Sequence, residues 1–344
     1  MIARLSRRGW SRAAALLIVL LLIAGSIAFA ERTDEAPRKL DIKSTQITSF
    51  DNRDPAQRRF GLLEFRGGLA LTSSDKDFGG LSALRVSPDG EHFISVSDKG
   101  RWFRGRIVYR DGAPAGIADG ETAPMLGDDG KTLASRGWYD TESIAEDGGA
   151  LYVGIERVEK IVRFDYGRDG LLARGEPIPV PDDFKSFTYN KSLECLVVAP
   201  KGMPHAGALI VVTERSLDQS GNHRSFLLQG GDVERFSVKR SDDFDVSDCA
   251  ILPSGELLLL ERRFSLARGV AMRIRRIPLA AIKPGALVDG PPLVEADLGY
   301  QIDNMEGLAV HRNAAGELLL TLVSDDNFSV VQRTILLQFA LVGE

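Results

Sequence analysis

The sequence is poor in the residues that most hydrolytic and redox chemistries need. It holds four histidines and two cysteines in 344 residues. His92, His205, His223 and His311 are scattered, and no H-E-x-x-H sets two of them on one helix face, so zinc-protease chemistry has no ligands. His92, His205 and His311 read as surface residues in or beside turns, and His223 stands just before the apolar stretch "RSFLLQ". No G-x-S-x-G elbow presents a nucleophilic serine. "GDDGKT" at Gly127–Thr132 ends in Gly-Lys-Thr but lacks the spacing of a phosphate loop. It reads as part of a polar insertion, Asp111–Arg136, flanked by Trp102 and Trp138. Cys195 and Cys249 are too few for a disulfide framework. An oxidising compartment would allow them one bridge, and the sequence leaves their pairing open. There is no concentrated basic patch, which excludes a nucleic-acid binder. Beyond residue 30 there is no sustained helical periodicity and no membrane span.

What is present begins with a cationic head. Arg4, Arg7, Arg8 and Arg12 precede an apolar run, Ala13–Ile23, and "AFA" at Ala28–Ala30. This is the pattern of a signal peptide with cleavage before Glu31; left uncleaved, the segment would be an anchor. "SRRGW" at Ser6–Trp10 is close to a twin-arginine export signal, whereas the residues after Trp10 suit Sec export equally well. The expectation is a signal peptide over 1–30 and a periplasmic or secreted domain over 31–344. Removing residues 1–30 removes four arginines and no acid, so the domain is more acidic than the net charge of −5 of the whole chain.

In that domain one grammar recurs. Apolar runs headed by a polar or acidic residue start at Ser82, Glu142, Glu194, Asp248 and Glu306, at intervals of 52 to 60 residues. A Gly-containing turn follows each: "PDG", "EDGG", "PKGMPHAG", "PSG", "NAAG". Gly with Asn or Asp supplies the positive φ of hairpin turns. A second apolar run then ends in an acid: Asp98, Glu156, Glu214, Glu261, Asp325. Short strands, tight turns and units of this length predict an all-β protein, a β-propeller of five or six four-stranded blades around a central channel. Residues 38–75 would supply outer strands closing the last blade, or a degenerate sixth blade.

A hairpin brings the start of its first strand beside the end of its second. The paired acids should therefore face one mouth of the channel. Crowded carboxylates repel and are costly to bury, so such a ring needs cations, bases or protons. Hard oxygen ligands suit Ca²⁺ or Mg²⁺. The candidate metal ligands are Asp98, Glu142, Glu156, Glu194, Glu214, Asp248, Glu261, Glu306 and Asp325. Lys99, Arg157, Arg215 and Arg262 directly follow the second acids and are candidate anion contacts. A plainer reading of each acid–base dipeptide is a solvated rim or an interblade salt bridge.

The set "GGLSAL", "SDKG", "DTESIA", "NKSLECL", "DNMEGLAV" and "SDDNF" followed by "QRTILLQF" resembles the phytase-like family, the esterase-like proteins of the phytase group. The resemblance spans Phe78 to Phe339 and departs from the family at "NKSLE", where a Gly is usual near Ser192. It implies an exported β-propeller, and by likeness to propeller phytases a Ca²⁺-dependent hydrolase of phosphate esters. On that expectation Glu142, Glu194 and Glu306 are the catalytic candidates, the substrate is a small anion, and the protein is a monomer. The alternative is a non-catalytic periplasmic ligand-binding or scaffold propeller, since fold does not fix function.

Overall fold

A computed structural model describes residues 36–266 and 268–343. The expected signal peptide, 1–30, lies outside the described residues. Among them no helix is long and apolar enough to cross a membrane.

Each predicted two-strand unit is a hairpin, and each predicted turn closes on glycine at positive φ: Gly90, Gly149, Gly207, Gly255 and Gly316. The hairpins begin at Leu81–Val86, Thr141–Asp147, Cys195–Val198, Asp245–Ile251 and Asn304–Arg312. These five strands are the innermost of five sheets and pack in a closed circle, each against the next and the last against the first. The sheets are antiparallel except where Leu126–Gly127 and Leu287–Val288 add in parallel at the outer edges of the second and third. The result is a five-bladed propeller. Every blade is covered on both faces by its neighbours, so its strands read as unbroken apolar runs rather than alternating ones. Leu257–Leu260 are all fully buried. Five apolar clusters fill the five gaps between adjacent blades.

A sixth blade is not formed. Leu63–Ser73 pairs with Thr334–Leu341 and becomes the fourth strand of the last blade, and Ile42–Ile47 pairs outside it. Arg38–Lys39 pairs with the outer strand of the first blade, Ala113–Pro124. The amino-terminal segment thus joins the last blade to the first. The first half of the expected polar insertion is this 12-residue strand. Trp102 is core, edge-on to Phe164. His311 is also not a surface residue. It is buried with Nε2 2.7 Å from Thr321 Oγ1, because the inner strand runs on to Arg312. Cys195 and Cys249 form a disulfide that ties the inner strands of the third and fourth blades, with Cα atoms 5.2 Å apart.

The channel is closed by one side chain. Arg85, from the inner strand of the first blade, donates to Ile144 O in the second blade and Leu196 O in the third (2.9 Å). It also reaches the Asp248 carboxylate of the fourth (3.2 Å) and Leu308 O of the fifth (3.2 Å). Asp248 in turn accepts from Leu308 N and Cys249 N, both at 2.7 Å.

Arg85→Met leaves Asp248 buried without its cation. Such losses run to about 3–5 kcal/mol, which urea unfolding will read; adding Asp248→Asn should recover part of it. Reducing the disulfide, whose cysteines are 54 residues apart, should cost about 4 kcal/mol on loop-entropy grounds, measured as the difference between unfolding curves with and without dithiothreitol.

Candidate functional site

Four inner strands carry a β-bulge at the same place, between Ser82 and Leu84, Thr141 and Ser143, Val246 and Asp248, and Met305 and Gly307. The extra residues are Ala83, Glu142, Ser247 and Glu306. A bulge re-aims a side chain. In the third blade Glu194 holds the same position, immediately before Cys195 pairs with Val212. The ends of the second strands superpose as Ser97, Glu156, Glu214, Arg262 and Asp325. Ser97, Arg262 and Asp325 pair with Leu81, Asp245 and Asn304. The Glu156 and Glu214 amides donate to Asp140 O and Ser192 O.

This register corrects the sequence alignment in the first blade, where Ala83 and Ser97 hold the places expected of Ser82 and Asp98, and in the fourth, where both acids stand one residue off. A one-residue offset turns a strand side chain to the other face. Asp248 therefore joins Arg85 inside the channel. Glu261 is buried within the blade against Arg273 (2.8 Å) and Arg275 (2.6 Å). Ser247 and Arg262 take the places expected of acids. Two candidate cations also stay outside the pocket. Arg215 is ion-paired to Asp245. Lys99 lies 3.6 Å above the Phe328 ring and donates to Lys76 O.

The structure brings together Asp98, Glu142, Glu156, Arg157, Glu194, Arg262, Glu306 and Asp325 around a cavity of about 750 Å³ at one mouth of the channel. Glu214 joins them beneath: Glu156, Glu194 and Glu214 offer carboxylate oxygens within 4.8 Å of one another, as do Asp140, Glu142 and Glu156. Arg262 bridges three blades, with Nε 3.0 Å from Glu306 and Nη2 3.3 Å from Glu214 and 4.0 Å from Glu194. The sequence reading missed Asp140, Lys191 and Asn304. Asp140 pairs with Arg157 (2.8 Å) and Lys191 with Glu214 (2.9 Å). Asn304 Nδ2 donates to Glu306 Oε1 at 2.8 Å. All three stand within motifs already singled out, two or three residues ahead of the acids, and a polar residue just before the acid was the available signal.

Glu194 and Glu306 are 3% and 4% exposed, and each has one carboxylate oxygen, Oε2, with no hydrogen-bond partner. Buried charge without a partner is costly. The cost appears in the proton affinities. Burial pushes Glu156 and Glu306 up to about 8, Asp325 to about 7 and Asp98 to about 6. Carboxylate repulsion adds to burial in each, while Arg262 pulls Glu306 and Asp325 back. Glu142 and Glu194 are raised well above the ordinary range by the same two causes. An ion of hard-oxygen preference fits this donor set: facing carboxylates from several blades, with buried oxygens left over.

One loop of the rim is tightly held. Asn327 and Phe328 both have φ near +50°. Asp326 Oδ1 accepts from Phe328 N and from Gly80 N, each at 3.0 Å. A Cβ on Gly80 would run into the Phe328 ring, which is why two glycines precede "LSAL".

A family model described as "Phytase-like: Esterase-like activity of phytase" matches residues 76–328. No curated protein matches the chain. Among solved structures, the chain is similar to an endo-arabinase from Bacteroides thetaiotaomicron VPI-5482, at 12% identity and a TM-score of 0.45 over 78% of this chain and 96% of that one. It is also similar to the PQQ-bound aldose sugar dehydrogenase from Streptomyces coelicolor, at 12% identity and 0.42 over 89% and 99%.

Because the pocket carboxyls bind protons more tightly in the folded chain than in the unfolded one, the stability they confer is complete below pH about 4.5. It is lost as pH rises toward 8. Acids with lowered pKa values act only below this window. Burial lowers the proton affinity of His223 and His311, so the stability they confer grows as pH rises to about 6.5 and opposes the trend below it. Melting of the EDTA-treated protein should therefore fall from pH 6.5 to 8. A melting temperature that holds level or rises over that range would mean the cluster is ionised and already compensated.

Proposed function

The chain belongs to the phytase-like family, and from that premise we propose that the acidic mouth is the active site of a metal-dependent hydrolase of phosphate esters or related anionic esters. The observation that carries this reading is the pair of buried, unpartnered carboxylate oxygens on Glu194 and Glu306 facing further acids across one cavity. Glu156, Glu194 and Glu214 would hold one ion and Asp140, Glu142 and Glu156 a second, with Ca²⁺ the best match to all-carboxylate donors. A bound ion of this kind neutralises substrate phosphate and makes water a better nucleophile.

The protein's own residues supply the rest. Arg262 and Lys191 place positive charge inside the pocket, and Arg157 does so at its rim beside the Tyr139 and Tyr189 hydroxyls (3.2 and 3.1 Å). A guanidinium suits phosphate by its fork of donors. Asn304 and Arg262 fix Glu306 Oε1, which leaves Oε2 to take a proton from water. A carboxyl whose proton affinity lies near neutral pH is suited to that task. Glu142 and Glu194 would be held ionised as ligands, so the proton taken by Glu306 is the one returned to the leaving oxygen. We also propose export to the periplasm or beyond; the Cys195–Cys249 bridge supports it, because such bonds persist in oxidising compartments.

The test is a melting curve of EDTA-stripped protein titrated with Ca²⁺. Ligand at about 100 times Kd adds about 2.7 kcal/mol per ion, which should shrink in Glu194→Gln, a ligand of one ion, and be lost in Glu156→Gln, a ligand of both. Glu306→Gln should fold yet hydrolyse 4-nitrophenyl phosphate at least about 100-fold more slowly. A flat response to Ca²⁺, Mg²⁺ and Mn²⁺ sinks the reading. The ring would then be a salt-bridged structural feature of a non-catalytic binding or scaffold propeller.

A further inference from the structure

The acidic cavity has a second wall that ion binding and phosphate chemistry do not use. Phe264 is 67% exposed, Leu298 59% and Val331 84%, and all three line the same cavity as the acids. They come from three separate segments: the end of the second strand of the fourth blade, the turn after that blade's last strand, and the loop between Leu318–Asp325 and Thr334–Leu341 in the fifth blade. Val270 and the buried Ile302 stand with them. Large apolar side chains left open and gathered in one place mark a binding surface. At about 750 Å³ the cavity is also of small-molecule size, within the range of about 300–1,000 Å³.

The charged side of the cavity narrows the choice of ligand. Among the described residues lining it, Arg157, Lys191 and Arg262 each already face a carboxylate at 3.0 Å or less. A polyol carrying several phosphates could meet ions held by the acids, but its other phosphates would lie against Phe264, Leu298 and Val331. A ligand with one phosphate and an apolar remainder meets both walls. Arg262 and Phe264 are two residues apart on one strand, so they share a face about 7 Å apart. That places an anionic head and the start of an apolar tail side by side.

Resting on the phosphate-ester reading above, we propose that the substrate is an amphiphile: a phosphate ester whose other half is an alkyl, acyl or aryl group. Its head lies against Arg262 and the acid cluster, and its tail lies on Phe264, Leu298 and Val331.

Phosphonates keep the head and resist hydrolysis. The full-length protein with saturating Ca²⁺ is titrated calorimetrically with methylphosphonate and with hexylphosphonate. Hexylphosphonate should bind at least about tenfold tighter, since each buried methylene contributes about 0.8 kcal/mol. Leu298→Ser and Val331→Ser, both at exposed positions, should fold normally and shrink that preference to less than about threefold. Sedimentation with phosphatidylglycerol-containing vesicles separates the sources. Retention that weakens in Val331→Ser identifies a bilayer lipid, and tight hexylphosphonate binding without retention identifies a soluble ester. Both support an amphiphile. Equal affinity for the two phosphonates, with Ca²⁺ still raising the melting temperature, overturns the amphiphile and leaves the hydrolase reading standing. No Ca²⁺ effect and no phosphonate binding overturns both.

Discussion

Five blades meet at one guanidinium. Arg85 starts from the first blade and bonds to a carbonyl or carboxylate of each of the other four. The inner strands of a propeller leave their channel-facing polar groups without sheet partners, and a buried group left so is expensive. One planar fork with five donors answers several of them at once. Its charge is balanced by Asp248, which also takes two backbone amides. The geometry of the ring is therefore tied to a single ion pair, and neither partner can be lost alone without leaving a charge in a closed channel.

That plug also accounts for the shape of the candidate site. The same strands that bring carbonyls to Arg85 carry their bulged residues to the mouth beyond it. Arg85 spans the channel behind the acids, and most of the acids themselves are buried. Semi-enclosure is what raises their proton affinity. In such a place protons and a divalent cation are alternative ways of cancelling the same charge, and the pocket's state follows whichever is more available.

Much of this was legible in sequence because a propeller repeats itself. The interval of the hairpins, the glycine turns and the acids at Glu142, Glu156, Glu194, Glu214 and Glu306 needed no structure to find. The blade count stayed open because the closing strand, Leu63–Ser73, lies at the far end of the chain from its partner Thr334–Leu341, and no local pattern announces a pairing over that distance. The fourth blade misled because "DCAIL" and "ELLLLE" keep the acids but shift them by one residue against the bulge. Periodicity locates a strand, while the bulge decides which way each residue points. Arg85 did leave a signal, a cation inside an apolar inner strand, but its partners lie on four other blades. The three contributors to the apolar wall are likewise far apart in sequence.

The offset in the fourth blade does more than remove two acids. With five equal blades, the mouth would be a nearly symmetric ring of carboxylates, able to trap cations but giving a substrate no preferred direction. Ala83 and Ser97 in the first blade and Ser247 and Arg262 in the fourth break that symmetry. Carboxylates from the second and third blades face an arginine from the fourth, and beyond that arginine the wall turns apolar. The cavity thus holds acids, an arginine and, two residues along the same strand from it, the apolar Phe264. A ligand polar at one end and greasy at the other would settle across these groups, and a spherical ion would settle among the acids. The asymmetry of these two blades, with the single cation in the fourth, gives the mouth a direction.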